Sequence, residues 1–78
     1  MRQVEITAEP VELYKILKFE GLVSSGGEAK AVIENKLVKV NGAVETRKRK
    51  KILAGDVVEF GSEQLVIVLQ GSQPAAQT

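Results

Sequence analysis

The pattern of apolar and polar positions predicts strands near both ends of the chain, with two helices following the first strand. Val4 and Ile6 alternate with Glu5, which predicts a half-buried first strand. The apolar run Gln64–Leu69 predicts a last strand. The segment Gln70–Thr78 is polar and rich in small residues, which predicts a disordered tail. We therefore expect a single domain over residues 1–69.

The first predicted helix spans about Pro10–Glu20, with Thr7 or Glu9 as its cap and Pro10 in its first turn. Gly21 is expected to end it, because glycine takes a left-handed backbone conformation without steric cost. Its apolar stripe has three members at helical spacing: Leu13, Ile16 and Leu17. All three aromatic residues of the chain are expected in the core: Tyr14, Phe19 and Phe60.

The second predicted helix begins at Ser25, because Ser25 and Glu28 form an S-x-x-E capping box. Lys30 and Glu34 lie four residues apart on its exposed side, and the helix should end at residue 35 or 36. Its buried stripe comprises Ala29, Val32 and Ile33. The Ser-Gly-Gly start could hold an anion on free amides, or serve only as a flexible link and a cap.

A hairpin follows the second helix. Leu37–Val40 predicts a strand with Val38 and Val40 on one face, and Asn41-Gly42 is a strong signal for a type I′ turn. Later in the chain, Gly55-Asp56 predicts another turn. The remaining strand segments are Ala43–Val44, Ile52–Leu53, which is expected to return to the core, and Val57–Phe60.

Charge is unevenly distributed along the chain. From Lys30 to Lys51 there are eight Lys or Arg and two Glu, a net charge of +6, whereas the remainder has three Lys or Arg and eight Asp or Glu, a net charge of −5. The run Arg47–Lys51 has five consecutive cations, which as a strand would place Arg47, Arg49 and Lys51 on one side. Such a run is either a solvated loop or a surface that contacts the phosphates of a polyanion.

Composition excludes several classes of chemistry. The chain has no cysteine and no histidine, which excludes disulfides, Cys/His zinc sites and Ser-His or Cys-His nucleophile pairs. Its carboxylates are scattered, and no apolar run reaches the roughly 20 residues of a membrane helix. We expect a cytoplasmic, monomeric protein that is not an enzyme and that uses no cofactor, metal or membrane.

The string EAKAVIENKLVKVNG, followed by a basic stretch and L-x-x-G-D-x-V, resembles the alpha-L RNA-binding motif of the S-four domain family. The likeness covers about Val11–Phe60, and the ETRKRKK segment resembles the small stand-alone bacterial YbcJ-like members. It implies an α+β fold with two helices packed on a small antiparallel sheet. It also implies that structured RNA binds along the second helix and the hairpin. The residues it implies for RNA binding are Ser25, Lys30, Lys39, Asn41, Arg47, Lys48, Arg49, Lys50 and Lys51.

Two positions depart from the family pattern. Many members have arginine directly after the capping serine, where this chain has Gly26. Many have glycine two residues before the first hairpin valine, where this chain has Lys36. The first departure removes a common RNA contact, so that the basic run must supply more of the affinity. The second requires residue 35 or 36 to adopt a backbone conformation that glycine adopts more easily.

Three functional hypotheses follow. The first is a non-catalytic RNA-binding module, with ribosomal RNA as a candidate ligand. The second is a β-grasp protein-interaction or sulfur-carrier module, suggested by V-N-G-x-V and G-D-x-V-E, although the chain lacks the terminal Gly-Gly of such carriers. The third is an accessory subunit that pairs with a partner's sheet through Leu65–Leu69, if that strand lies at a sheet edge.

Overall fold

A computed structural model of the chain describes residues 1–70, so that positions 71–78 of the predicted tail lie outside the described residues. Two helices and seven strands occur within residues 1–70. In chain order the elements are β1 (Arg2–Ile6), β2 (Val11–Glu12), α1 (Leu13–Phe19), α2 (Gly26–Glu34), β3 (Val38–Val40), β4 (Ala43–Val44), β5 (Lys51–Ile52), β6 (Val57–Phe60) and β7 (Glu63–Leu69). The predicted α+β fold, with two helices on a small sheet, is confirmed.

The main sheet has five strands in the order β1-β7-β6-β3-β4. The strands β7, β6, β3 and β4 pair antiparallel, whereas β1 pairs parallel with β7, so the sheet is mixed. Residues 2–6 of β1 lie opposite residues 65–69 of β7. The last strand is therefore interior, so the condition of the third hypothesis, that this strand lies at a sheet edge, is not met. A second, two-stranded sheet joins β2 and β5.

One hydrophobic core lies between the helices and the main sheet. The two helices contribute Leu13, Ile16, Leu17, Ala29 and Ile33. The strands contribute Val4, Ile6, Val38, Val40, Ile52, Val58, Leu65 and Ile67, and the loop after α1 adds Val23. Both predicted helix stripes thus face the core, with Val32 only partly buried at its margin.

The first helix begins later than predicted. Val11 and Glu12 pair with Ile52 and Lys51 as strand β2, and the helix starts at Leu13. Its N-cap is Glu12, whose side chain makes no capping hydrogen bond, so the prediction of Thr7 or Glu9 as the cap is wrong. Residues 11 and 12 pair with a strand more than 35 residues later in the chain instead of joining the helix, and a local sequence pattern cannot predict such a pairing.

The second helix is capped as the sequence predicts, with one difference. The Glu28 amide donates to Ser25 Oγ at 3.1 Å. The Glu28 carboxylate reaches back one residue further than expected, and accepts from the Ser24 amide at 2.8 Å and from the Ser24 hydroxyl at 2.7 Å. The side-chain hydrogen bond from Ser24, together with the backbone one, lowers the pKa of Glu28 from its ordinary value of 4.5.

Both helices end in the same hydrogen-bonded motif but with different residues. After α1, the amides of Gly21 and Leu22 donate to the carbonyls of residues 18 and 17, and Gly21 has a φ of 73°. After α2, the amides of Lys36 and Leu37 donate to the carbonyls of residues 33 and 32, and Lys36 has a φ of 66°. Both ends are Schellman motifs. Lys36 therefore takes the left-handed conformation that glycine takes at Gly21.

Two residues predicted to lie in the core are exposed. Phe19 is 68% exposed, because it follows the buried Leu17 by two positions, which is about 200° around the helix axis. Leu53 is 49% exposed and directly follows the buried Ile52, since successive extended residues face opposite sides. The other two aromatic residues, Tyr14 and Phe60, are partly buried against the core.

Candidate nucleic-acid interface

The five consecutive cations Arg47–Lys51, here called the basic loop, form a turn between β4 and β5. The Lys50 amide donates to the Arg47 carbonyl at 3.1 Å, and only Lys51 belongs to a strand. The prediction that these side chains alternate along a strand is therefore wrong. The turn instead gathers four of the five cations around one open depression, which is lined by Arg47, Arg49, Lys50 and Lys51.

The backbone of the basic loop is fastened to the start of α1. The Leu13 amide donates to the Lys50 carbonyl at 2.9 Å, and the Tyr14 amide donates to the Lys48 carbonyl at 3.1 Å. First-turn helix amides have no acceptor within their own helix, so the loop supplies the cap that α1 lacks. These bonds use carbonyl oxygens and leave the cationic side chains free to face solvent.

One cation of the loop is held by a neighbouring carboxylate. Arg47 Nε donates to Glu45 Oε2 at 2.8 Å and Arg47 Nη2 donates to Glu45 Oε1 at 3.2 Å, a bidentate pair. The Arg47 amide also donates to Glu45 Oε2 at 3.0 Å. The side-chain hydrogen bond between them lowers the pKa of Glu45 and raises the pKa of Arg47. The Arg47 side chain is 71% exposed, so its guanidinium is accessible to a competing anion.

A second ion pair joins the basic loop to α2. Lys48 Nζ lies 2.9 Å from Glu34 Oε2, so Glu34 pairs with the loop in place of the Lys30 expected from helical spacing. Lys30 instead lies over the ring of Tyr14, with Nζ 4.7 Å from the ring centroid. Lys30 on α2 and the basic loop therefore both contact Tyr14 of α1, and the surface that they make up is here called the cationic side.

The start of α2 borders this cationic side. Ser25 Oγ is occupied as the helix cap, accepting from the Glu28 amide. A Cβ placed on Gly26 would meet the Tyr14 ring at 3.9 Å, an ordinary van der Waals contact. The position that carries arginine in many family members thus has room for a side chain here, beside the aromatic ring under Lys30.

The remaining two predicted site residues lie apart from this side. Lys39 alternates with buried neighbours on β3, so its side chain leaves the sheet face opposite the core, where Glu59 lies across from it. Asn41 lies in the turn predicted for Asn41-Gly42, where both residues have a positive φ. Its side chain is held by two hydrogen bonds. Its Nδ2 donates to Asp56 Oδ1 at 3.0 Å, and its Oδ1 accepts from the Val57 amide at 2.9 Å. Asn41 therefore fastens the hairpin tip to the turn before β6.

Sequence reasoning missed Lys15 as a neighbour of this surface. Lys15 Nζ lies 6.0 Å from the centroid of the Tyr14 ring and 3.5 Å from Glu12 Oε1. Together with Lys51 it lines a depression next to the basic loop. The sequence indicated only that Lys15 lies on the polar side of the first helix. Its nearness to Lys51 depends on the pairing of β2 with β5, which the sequence did not predict.

Two kinds of feature are absent from the described part of the chain. Across residues 1–70, no three Asp or Glu side chains come together in a way that could hold a metal ion. No helix in the same range is long and apolar enough to cross a membrane.

Comparison with known proteins gives the family. The sequence profile of the S4 domain, the S-four family, matches residues 4–68. This chain belongs to the S4 domain family. The match includes the hairpin and the Gly-Asp turn on which the sulfur-carrier alternative was based, and that alternative is wrong. Membership also confirms the family resemblance found in the sequence.

Several members of the S4 family are similar along most of their length. "Putative RNA-binding protein YbcJ" of Escherichia coli K12 is 52% identical over 58 residues, which cover 74% of this chain and 83% of that protein. "Probable ribosome maturation protein RlbA" of Bacillus subtilis 168 is 38% identical over 66 residues, covering 81% of this chain and 93% of that protein. The solution structure of E. coli YbcJ, described as revealing an alpha-L motif involved in RNA binding, superposes with a TM-score of 0.67 at 45% identity and covers 87% of each chain.

Proposed function

We propose that this S4 domain protein binds structured RNA without catalysing a reaction. The observation that carries the proposal is the basic loop, whose backbone is fixed to α1 while four of its cations surround one open depression. Preorganised cations lose little conformational freedom when they meet phosphates, and each phosphate contact releases condensed counterions. The names of the YbcJ and RlbA relatives support binding to RNA and, for RlbA, a part in ribosome maturation.

The proposed RNA face is the cationic side formed by the two helices and the basic loop. Its members are Ser25, Lys30, Arg47, Lys48, Arg49, Lys50 and Lys51. Asn41 supports this face indirectly by holding the hairpin tip to Asp56. Lys39 leaves the opposite face of the sheet, so it would meet only an RNA that wraps around the edge formed by β4.

We further propose that the ligand is ribosomal RNA, and that the protein acts as a monomer in the cytoplasm. The mode of recognition is shape and backbone contact with folded RNA. The chain has two Phe, one Tyr and no Trp, too few aromatics for the successive stacking platforms of single-strand binders.

The test is binding of the purified protein to an RNA hairpin, a single-stranded RNA and a duplex DNA across a salt series. We expect preference for the hairpin and an affinity that falls steeply as salt rises. Neutralising Arg49, Lys50 and Lys51 together with glutamine should reduce the slope of log affinity against log salt by about 2 to 3, since each phosphate contact contributes about 0.7 to 0.9.

The matched control neutralises one arginine and two lysines outside the basic loop: Arg2, Lys18 and Lys39. This control has the same net charge as the loop variant. We expect it to retain most of the affinity. Equal losses in the two variants would show that only total charge matters and would contradict a localised face. No binding of the unaltered protein to any of the three ligands at low salt would refute RNA binding itself.

A further inference from the structure

An exposed aromatic ring lies beside the basic loop. Phe19, at the last position of α1, is 68% exposed. It forms one wall of a depression, here called the Phe19 groove. The groove is lined by Pro10, Val11, Glu12, Lys15, Phe19 and Lys51. Three of its lining residues are apolar and three are charged, and Phe19 is the aromatic one among them. Phe19 also borders a second depression, whose apolar lining includes Val4, Ile6 and Ile16.

The Phe19 groove is continuous with the depression at the basic loop, because Lys51 lines both. It contains two cations, Lys15 and Lys51, and one carboxylate, Glu12, which lies 3.5 Å from Lys15. A chain of phosphates lying on the basic loop could thus continue from Lys51 to Lys15, passing the one carboxylate of Glu12. At that point the ring of Phe19 is within the same groove.

From this continuity we infer that the Phe19 groove receives an unpaired nucleobase of the RNA held by the basic loop. The base stacks on the ring of Phe19, and Lys51 and Lys15 contact the phosphates on either side of it. Stacking on an aromatic face tolerates any base, so this contact selects for an unpaired nucleotide next to a helix and not for a particular sequence. The inference rests on the proposed RNA-binding function and adds the feature of the RNA that is selected.

Charge favours a nucleotide over a protein as the occupant. An apolar protein contact would be made to Phe19, Pro10 and Val11 alone, since every other lining residue is charged. Val11 is itself only partly exposed, because it packs against the core. A base attached to a phosphate chain, in contrast, matches both the single aromatic ring and the cations that surround it.

The chain has no tryptophan, so Phe19→Trp introduces a single tryptophan at the groove, which can be excited selectively over Tyr14. Two RNA hairpins serve as ligands, identical except that one has a single-nucleotide bulge in its stem. We expect the bulged hairpin to quench the tryptophan emission and the fully paired hairpin to leave it nearly unchanged. Binding of both RNAs is followed separately by the anisotropy of a dye on the RNA, so that occupancy is known at every point.

Affinity measurements with two further variants test whether stacking is responsible. Since Phe19 is exposed, its replacement should leave the fold intact, which circular dichroism checks. Phe19→Ala should weaken binding of the bulged hairpin by roughly 5-fold to 100-fold and leave the paired hairpin unaffected. Phe19→Leu keeps an apolar side chain without an aromatic face and should restore little of the loss, whereas Phe19→Trp should restore most of it.

The outcomes separate this inference from the proposed function. If both hairpins bind the unaltered protein and no Phe19 variant discriminates between them, the inference is overturned and RNA binding stands. If Phe19→Leu binds the bulged hairpin as well as the unaltered protein does, the contact is apolar and not stacking, and the inference is also overturned. If neither hairpin binds, both proposals fail, and the groove is left as a surface for a protein partner.

Discussion

If Arg47 contacts RNA as proposed, the carboxylate of Glu45 competes with the RNA for its guanidinium, and removal of this carboxylate gives a sharp test of the interface. Arg47 is held by two side-chain hydrogen bonds of 2.8 and 3.2 Å to Glu45. These bonds use Nε and one hydrogen of Nη2, so an RNA phosphate reaches the full guanidinium only by displacing this carboxylate, and otherwise binds through Nη1 beside a negative charge. Glu45→Gln keeps the size of the side chain and retains an oxygen that can accept from the Arg47 amide, but it removes the competing charge.

The expected magnitude follows from the local charges. Residues 45–51 contain five cations and one carboxylate, a net charge of +4, which becomes +5 in Glu45→Gln. With Arg47 free to contact a phosphate, the slope of log affinity against log salt should steepen by about 0.7 to 0.9. Arg47 is 71% exposed and therefore screened by solvent, although Glu45 is only 12% exposed, so the gain in affinity should be about twofold to fivefold at moderate salt.

The assay is a titration of labelled RNA hairpin, followed by anisotropy, from low to physiological salt. Glu63→Gln is the control, because it changes the net charge equally but lies at the first position of β7. We expect a steeper slope for the Glu45 variant only. An unchanged slope and affinity in Glu45→Gln would refute the reasoning, since Glu45 would then not limit phosphate contact by Arg47. Equal gains in both variants would assign the effect to net charge.

Three further changes test the structure. Lys36→Gly removes a side chain from a backbone with a φ of 66° and should raise the free energy of unfolding by about 0.5 to 1 kcal/mol. Gly21→Lys places a side chain in the same motif after α1 and should lower the free energy of unfolding by a similar amount. Urea unfolding measures both. Gly26→Arg adds a cation where a side chain fits and should steepen the salt slope for RNA hairpin binding by about 0.7 to 0.9; an unchanged slope would place the start of α2 outside the interface. Glu28 has a pKa below its ordinary value of 4.5 because Ser24 donates to it. The ionised Glu28 therefore stabilises the folded protein above pH 4.5, and this stabilisation is lost as pH falls through the lowered pKa. The unfolding midpoints of Glu28→Gln and of the unaltered protein should differ at neutral pH and converge in acid.

The parts of the fold that the sequence predicted correctly are those fixed by neighbouring residues. The Ser25 cap, the end of α2 and the Asn41-Gly42 turn each depend on a few adjacent positions, whose backbone requirements are visible in the residue types. The exposure of Phe19 was also predictable, because the spacing that buries Leu17 turns Phe19 away from the core. In that case the apolar character of the side chain was given more weight than its position.

The parts that could not be predicted depend on distant segments. The basic loop is a turn because its Lys48 and Lys50 carbonyls accept from α1, more than 30 residues earlier. The same contact, with the pairing of β2 and β5, delays the start of α1. The parallel pairing of β1 with β7 likewise joins the two ends of the domain. For the site, sequence reasoning found the cations but not which of them lie together, and it left Lys39 grouped with residues on the opposite face.

The basic loop is attached to α1 through the carbonyls of Lys48 and Lys50, so its backbone conformation depends little on which side chains it carries. Side chains other than proline can occupy these five positions without disturbing the bonds to Leu13 and Tyr14, because every residue type has a carbonyl oxygen and proline alone lacks the amide that closes the turn. Substitutions in the loop can therefore change which ligand it binds while the free energy of unfolding changes little. A one-residue insertion or deletion would instead shift the carbonyls away from the α1 amides and disturb the helix. We expect homologous proteins to differ from one another here in residue type while the loop keeps its length.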